Sequence, residues 1–155
     1  MKTFAESIEI EAGPETIWRY VGDSQRWKEW MRVIRDVELP DFPETGQGTR
    51  RIVSAGGPLR LEEVITHHEP PHLFGYSVRK GAPLKFHQGL VKLDVLGEKQ
   101  VVVTYTTELA TGLPLIGGVF DGAVGLGMGA MIRKSLATLK QVAEADERGL
   151  FTPEA

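Results

Sequence analysis

The chain of 155 residues contains no cysteine, which excludes disulfide cross-links and thiol chemistry alike. It has no large excess of one charge. Lys and Arg number 18 against 21 Asp and Glu, a net charge of −3. No bulk electrostatic case therefore exists for binding nucleic acid or an anionic membrane surface. Met1 to Glu11 lacks the apolar run of a secretory signal, so the default expectation is a cytoplasmic protein. No phosphate-binding loop is present: Gly117 to Gly129 is rich in glycine, but no Lys-Ser/Thr pair follows at the required spacing. His67, His68, Glu69 and His72 make no convincing metal site, because neighbours on a strand point to opposite faces. No metal and no cofactor is expected. Internal repeats and low-complexity segments are absent too, so residues 1–155 are expected to form a single ligand-binding domain.

One stretch, Leu109 to Ile132, is nearly uncharged and long enough to cross a bilayer. It carries Gly118-x-x-x-Gly122 and Gly125-x-x-x-Gly129, the spacing of membrane helix contacts. Pro114 interrupts it, Asp121 sits inside it and its glycines lower its hydrophobicity. A membrane span is therefore not expected.

What is there is a long helical pattern at the C-terminal end. Phe120, Val124, Met128, Met131, Ile132, Leu136, Leu139 and Val142 recur at spacings of mostly three or four, which places them near one face. Arg133, Lys134, Lys140, Gln141 and Glu144 fall largely opposite. A helix from Val119 to Glu147 would be about 40 Å long, and only a broad curved surface could cover it. The preceding chain supplies one. Phe4 to Glu11 alternates as a strand. Gly13-Pro14-Glu15 opens a short helix. Asp23 or Ser24 caps a second short helix through Trp27, Trp30 and Met31. Six strands follow in a meander: Val33 to Leu39, Thr49 to Ala55, Leu59 to His68, Leu73 to Arg79, Leu84 to Leu96 and Lys99 to Leu109. Their short connections make neighbours antiparallel.

Several stretches together carry a resemblance. They are Ser7-Ile8-Glu9-Ile10, Ala12-Gly13-Pro14-Glu15-Thr16-Ile17-Trp18, Asp23 with Trp27 and Trp30, Gly48-Thr49-Arg50, and Glu62-Glu63-Val64 with Pro70-Pro71, Leu73 and Tyr76. In this order, before a long terminal helix, they resemble the START-like, or Bet v 1-like (SRPBCC), helix-grip superfamily, close to its polyketide cyclase/dehydrase and lipid-transport group. The resemblance implies an α+β fold: a seven-stranded antiparallel curved sheet wrapped around a long C-terminal helix, with two short helices between strands 1 and 2 and a cavity inside. It implies little about reaction, since one scaffold hosts carriers, cyclases, hydrolases and regulators.

Alternation assigns faces. Val103, Tyr105 and Thr107 share the inward face of the last strand, and Phe74, Tyr76 and Val78 that of an earlier one. Lys92 and Asp94 should face water, which turns Val91 inward. Carried back without a bulge near Gln88-Gly89, the same phase turns His87 inward. Glu63 falls inward with Leu61 and Ile65, and a His87–Glu63 pair is conceivable. Of Arg50 and Arg51, alternation sends one inward, where it could contact an anion. The expected cavity lining is Trp30, Met31, Glu63, Phe74, Tyr76, Val78, His87, Val91, Val103, Tyr105, Thr107, Phe120, Val124 and Met128. Such a lining suits a small hydrophobic molecule with one or two polar handles.

The function expected first is binding of a small hydrophobic or aromatic molecule, as carrier or sensor. The alternative is a cofactor-free cyclase/dehydrase-type enzyme on a polyketide-like substrate, with His87, Tyr76 or Tyr105 moving protons. No nucleophile–base pair is visible, which weakens hydrolysis. The glycines of the helix start each cost up to about 1 kcal/mol relative to alanine. Close approach of a strand, room for a ligand, or a soft gate between Gly112 and Gly129 could offset that cost. The sequence sets neither the ligand's identity nor the oligomeric state.

Overall fold

Residues that alternate between apolar and polar types build the sheet, and the alternation is cleanest in its last strand. There Val101, Val103, Tyr105, Thr107 and Leu109 are all buried, while the residues between them are half-buried. The structure, a computed structural model, describes residues 2–41, 46–112 and 117–150, with the backbone alone for 117–123. Its strands are β1 (Lys2–Ile10), β2 (Asp36–Glu38), β3 (Arg50–Ser54), β4 (Arg60–Glu69), β5 (Leu73–Lys80), β6 (Phe86–Gly97) and β7 (Gln100–Ala110). All pair antiparallel in the order β1-β7-β6-β5-β4-β3-β2. The first strand closes beside the last, with Ile8 opposite Val103 and Ile10 opposite Val101. This is the expected seven-stranded curved sheet with a C-terminal helix, α2 (Gly117–Glu147), against one face.

Between β1 and β2 lie two short helices. Helix α1 (Pro14–Val21) starts with proline, whose missing N–H costs nothing in a first turn. Two turns of 3₁₀ helix, Ser24–Glu29, follow, and Asp23 caps them by accepting from the Gln25 N–H at 3.0 Å. The second expected helix thus ends before Trp30, which serves as its C-cap. Both indoles point back into α1: Trp27 donates to the Val21 carbonyl at 2.8 Å and Trp30 to the Tyr20 carbonyl at 3.0 Å. Strand β2 spans three residues rather than the seven from Val33 to Leu39. The chain turns first, with the Ile34 N–H bonded to the Met31 carbonyl.

Helix α2 is fixed chiefly along β1 and α1. Ile132, Leu136, Leu139 and Ala143 are buried; burying each large side chain contributes about 1.5–3 kcal/mol. Lys140 and Glu144, expected on the solvent side, instead hold the β1 end: Lys140 Nζ donates to the Glu9 carbonyl and Glu144 accepts from the Glu11 N–H, both at 2.9 Å. Glu147 accepts from the Gly13 N–H at 2.6 Å, and Asp146 accepts from the Tyr20 hydroxyl at 2.9 Å. Arg133 pairs with Glu6 at 2.7 Å.

Gly125 is explained by close approach. A Cβ there would stand 1.8 Å from the Phe4 ring of β1, so strand and helix touch where side chains would hold them apart. The expected gate runs through Leu113 to Ile116, which lie outside the described residues, as do the surroundings of Gly118 and Gly122. No helix among the described residues is long and apolar enough to cross a membrane.

Candidate functional site

Between the sheet and the described N-terminal turns of α2 lies a cavity of about 390 Å³. Its walls are mostly apolar, with Met31, Ile34, Val53, Leu61, Val78, Val124, Met128 and Met131 among them, and Val33 and Leu59 partly exposed at its edge. Besides Trp27, whose indole N–H is bonded to the Val21 carbonyl, five side chains add polar atoms: Arg51, Glu63, Tyr76, Tyr105 and His87.

Strand register brings the charged pair together. Arg51 of β3 stands directly opposite Glu63 of β4, and Arg51 Nε donates to Glu63 at 2.6 Å. Their side chains are 1% and 5% exposed, so the pair is desolvated and each member needs the other. Arg51 also reaches Ser24 Oγ at 3.4 Å. Its guanidinium lies 4.3 Å from the Trp27 ring centroid, 4.8 Å from that of Tyr76 and 5.3 Å from that of Phe74. Three rings therefore cage one cation, whose charge their faces favour. Burial pushes the Glu63 carboxyl above its usual range, against the downward pull of Arg51.

A missing side chain brings the two tyrosines together. Tyr76 of β5 pairs with Gly89 of β6, and Gly89 pairs with Thr107 of β7. A Cβ at Gly89 would stand 2.4 Å from the Tyr76 ring. The ring lies across that gap, and its hydroxyl meets that of Tyr105 at 2.5 Å, two strands away. Burial pushes both hydroxyls up, with Glu63 adding to the rise at Tyr76 and Tyr76 to that at Tyr105. Both are neutral donors at any ordinary pH.

His87 is built differently. The register of β6 against β7 runs unbroken from Phe86 to Val95, with no bulge at Gln88 or Gly89, so its side chain turns inward and is 5% exposed. Its ring centroid lies 5.8 Å from that of Tyr76. Neither Nδ1 nor Nε2 has a hydrogen-bond partner among the described residues. Burial lowers its pKa from 6.5 to about 4, so the imidazole is neutral near pH 7.

Of the residues expected to line the cavity, Met31, Glu63, Tyr76, Val78, His87, Tyr105, Val124 and Met128 stand together on its wall. Trp30, Phe74, Val91, Val103 and Thr107 are buried but stand off that wall. Trp30 is held toward Tyr20 by its indole bond, and Trp27 lines the cavity in its place. The Phe120 side chain lies outside the described residues. The conceivable His87–Glu63 pair does not form, because Glu63 is bonded to Arg51. Arg51 is the inward member of the Arg50-Arg51 pair; Arg50 faces outward and pairs with Asp41 at 3.0 Å. No group of three or more potential metal ligands occurs among the described residues. His68 turns toward the Gly22 carbonyl at 3.2 Å, and His67 contacts Thr66.

A family model described as polyketide cyclase / dehydrase and lipid transport matches residues 1–144. "Toxin Rv0910" of Mycobacterium tuberculosis (strain ATCC 25618 / H37Rv) is 28% identical over 109 residues, covering 61% of this chain and 75% of that protein. Among solved structures, TTHA0849 from Thermus thermophilus superposes with a TM-score of 0.74 at 19% identity, over 94% of this chain and 99% of that one. A START superfamily protein from Mycobacterium smegmatis gives 0.68 at 13% identity, over 96% and 99%. At these identities the structural likeness is one of fold.

Proposed function

The chain belongs to the polyketide cyclase/dehydrase and lipid transport family, and on that premise we propose that it binds a small hydrophobic or aromatic molecule between the sheet and α2, as a carrier or sensor. The observation that carries this reading is the cavity itself. About 390 Å³ of space is walled mainly by aliphatic and methionine side chains with a few convergent polar groups. Ligand pockets run from roughly 300 to 1,000 Å³ with the same kind of lining. Met31, Met128 and Met131 suit the role, since flexible thioether side chains adapt to varied shapes. Residues 1–155 act as one ligand-binding unit.

An environment-sensitive apolar dye is the simplest test. It should bind saturably, and Val78→Trp, which fills the cavity from β5, should weaken binding by about tenfold or more. Absence of saturable binding, or binding indifferent to Val78→Trp in a folded variant, would sink the reading.

His87 beside Tyr76 favours a second reading. A neutral imidazole near a donor hydroxyl could move protons on a bound ketone chain, as a cofactor-free cyclase or dehydrase requires. The readings part on His87→Gln: a carrier keeps its ligand affinity within a few-fold, whereas an enzyme loses turnover by about 10²-fold or more.

A further inference from the structure

The polar groups of the cavity form an inventory with a definite sign, and that sign is neutral. Among the described residues, Arg51 and Glu63 are the only charged side chains on the cavity wall, and each already has the other as its partner at 2.6 Å. Rings of Trp27, Tyr76 and Phe74 crowd the guanidinium as well. An incoming carboxylate would thus find only a cation whose charge Glu63 already balances, and it would be desolvated near that carboxylate. An incoming ammonium would find no uncommitted anion. Two neutral resources remain. The Tyr76–Tyr105 bond uses one of two hydroxyl protons, which leaves the other to donate. His87, only 5% exposed, has neither ring nitrogen bonded among the described residues. A neutral imidazole offers one N–H and one lone pair, and leaving both unused in an apolar site is costly.

Building on the ligand-binding reading, we propose that the cavity selects an uncharged apolar molecule bearing a hydroxyl group, an alcohol or a phenol, and that His87 is the residue that binds this hydroxyl. A hydroxyl is the smallest group that can either accept from the imidazole N–H or donate to its lone pair, so it suits whichever tautomer is present. The low pKa of His87 agrees with this, because burial keeps the ring from turning into a cation that would favour acids.

Three ligands with one two-ring body separate the possibilities: naphthalene, naphthol and naphthoate, titrated at neutral pH by fluorescence or calorimetry. Naphthol should bind about fivefold or more tighter than naphthalene, and naphthoate at least about thirtyfold more weakly than naphthol. His87→Leu should bring the naphthol-to-naphthalene ratio close to one, with naphthalene bound at least as tightly as before. His87→Gln, which restores a donor and an acceptor, should keep most of the preference. Equal affinity for naphthol and naphthalene would overturn the proposal and leave the ligand-binding reading standing. So would tightest binding of naphthoate, or a preference that survives His87→Leu. Failure of all three ligands to bind would overturn both.

Discussion

At the β3–β4 end of the cavity, a buried cation meets a buried anion across two paired strands, and aromatic rings crowd the cation. At the β6 end, a buried imidazole meets nothing it can bond to among the described residues. Both ends are made of strand residues turned inward by the same alternation, and both are nearly inaccessible to solvent. The difference lies in what register delivers. Arg51 faces Glu63 directly, so the pair is self-contained and serves the fold. His87 faces Leu109 on β7, which has no polar side-chain atom to offer. On the proposed reading, the charged end contributes shape and aromatic surface, and the neutral end keeps bonding capacity for a guest.

The comparison breaks most visibly if the paired end is cut. Glu63→Leu alone should cost about 3–5 kcal/mol, because it strands a buried guanidinium, whereas Arg51→Met with Glu63→Leu should recover most of that loss. Urea unfolding measures both, and a single variant costing less than about 1 kcal/mol would show that the pair is solvated. The unpaired end should speak through pH. Its folded pKa of about 4 lies below the ordinary 6.5, so as pH falls the unfolded chain takes up the proton first. Stability from this group is complete above about pH 6.5 and is lost as pH falls toward about 4, on the order of 3 kcal/mol in all. Other carboxylates add their own acid loss, so the useful reading is the gap between the protein and His87→Leu. Equal pH slopes for the two would show that His87 is not buried as a neutral ring. The smallest effect concerns the bridge between the ends. Gly89→Ala places a Cβ 2.4 Å from the Tyr76 ring and should cost about 1–3 kcal/mol by displacing it. Most of that cost should vanish in a Tyr76→Ala background, and additive losses in the double variant would contradict the contact.

How much of this was legible in the sequence follows from which physics is local. The alternation of β7 placed Val103, Tyr105 and Thr107 inward, and all three are buried. The same logic carried back along β6 turned His87 inward, because no bulge intervenes before Val95. Periodicity of three and four placed Ile132, Leu136 and Leu139 on the packed face of α2. Pairing was not legible. The facing of Arg51 and Glu63 depends on which residues oppose one another across β3 and β4, and alternation is silent about that. Trp30 and Trp27 were exchanged for a geometric reason: the turn that carries them is 3₁₀, and each indole is drawn to an α1 carbonyl that no pattern reveals. Gly89 had a faint signal, a glycine inside a strand, which marks close approach of another group. The approaching group, Tyr76, became identifiable only with the register.

The chain has four methionines; Met31 lines the cavity from the turn after the 3₁₀ helix, and Met128 and Met131 line it from α2. Carbon-13 labelling of their methyl groups gives an uncrowded spectrum in which each wall reports separately. Titration with naphthol should shift these three signals together, in one saturable step, with a single dissociation constant that His87→Leu weakens. Three signals that stay in place while naphthol remains in solution, or that drift without saturation, would contradict a ligand-binding cavity between sheet and helix.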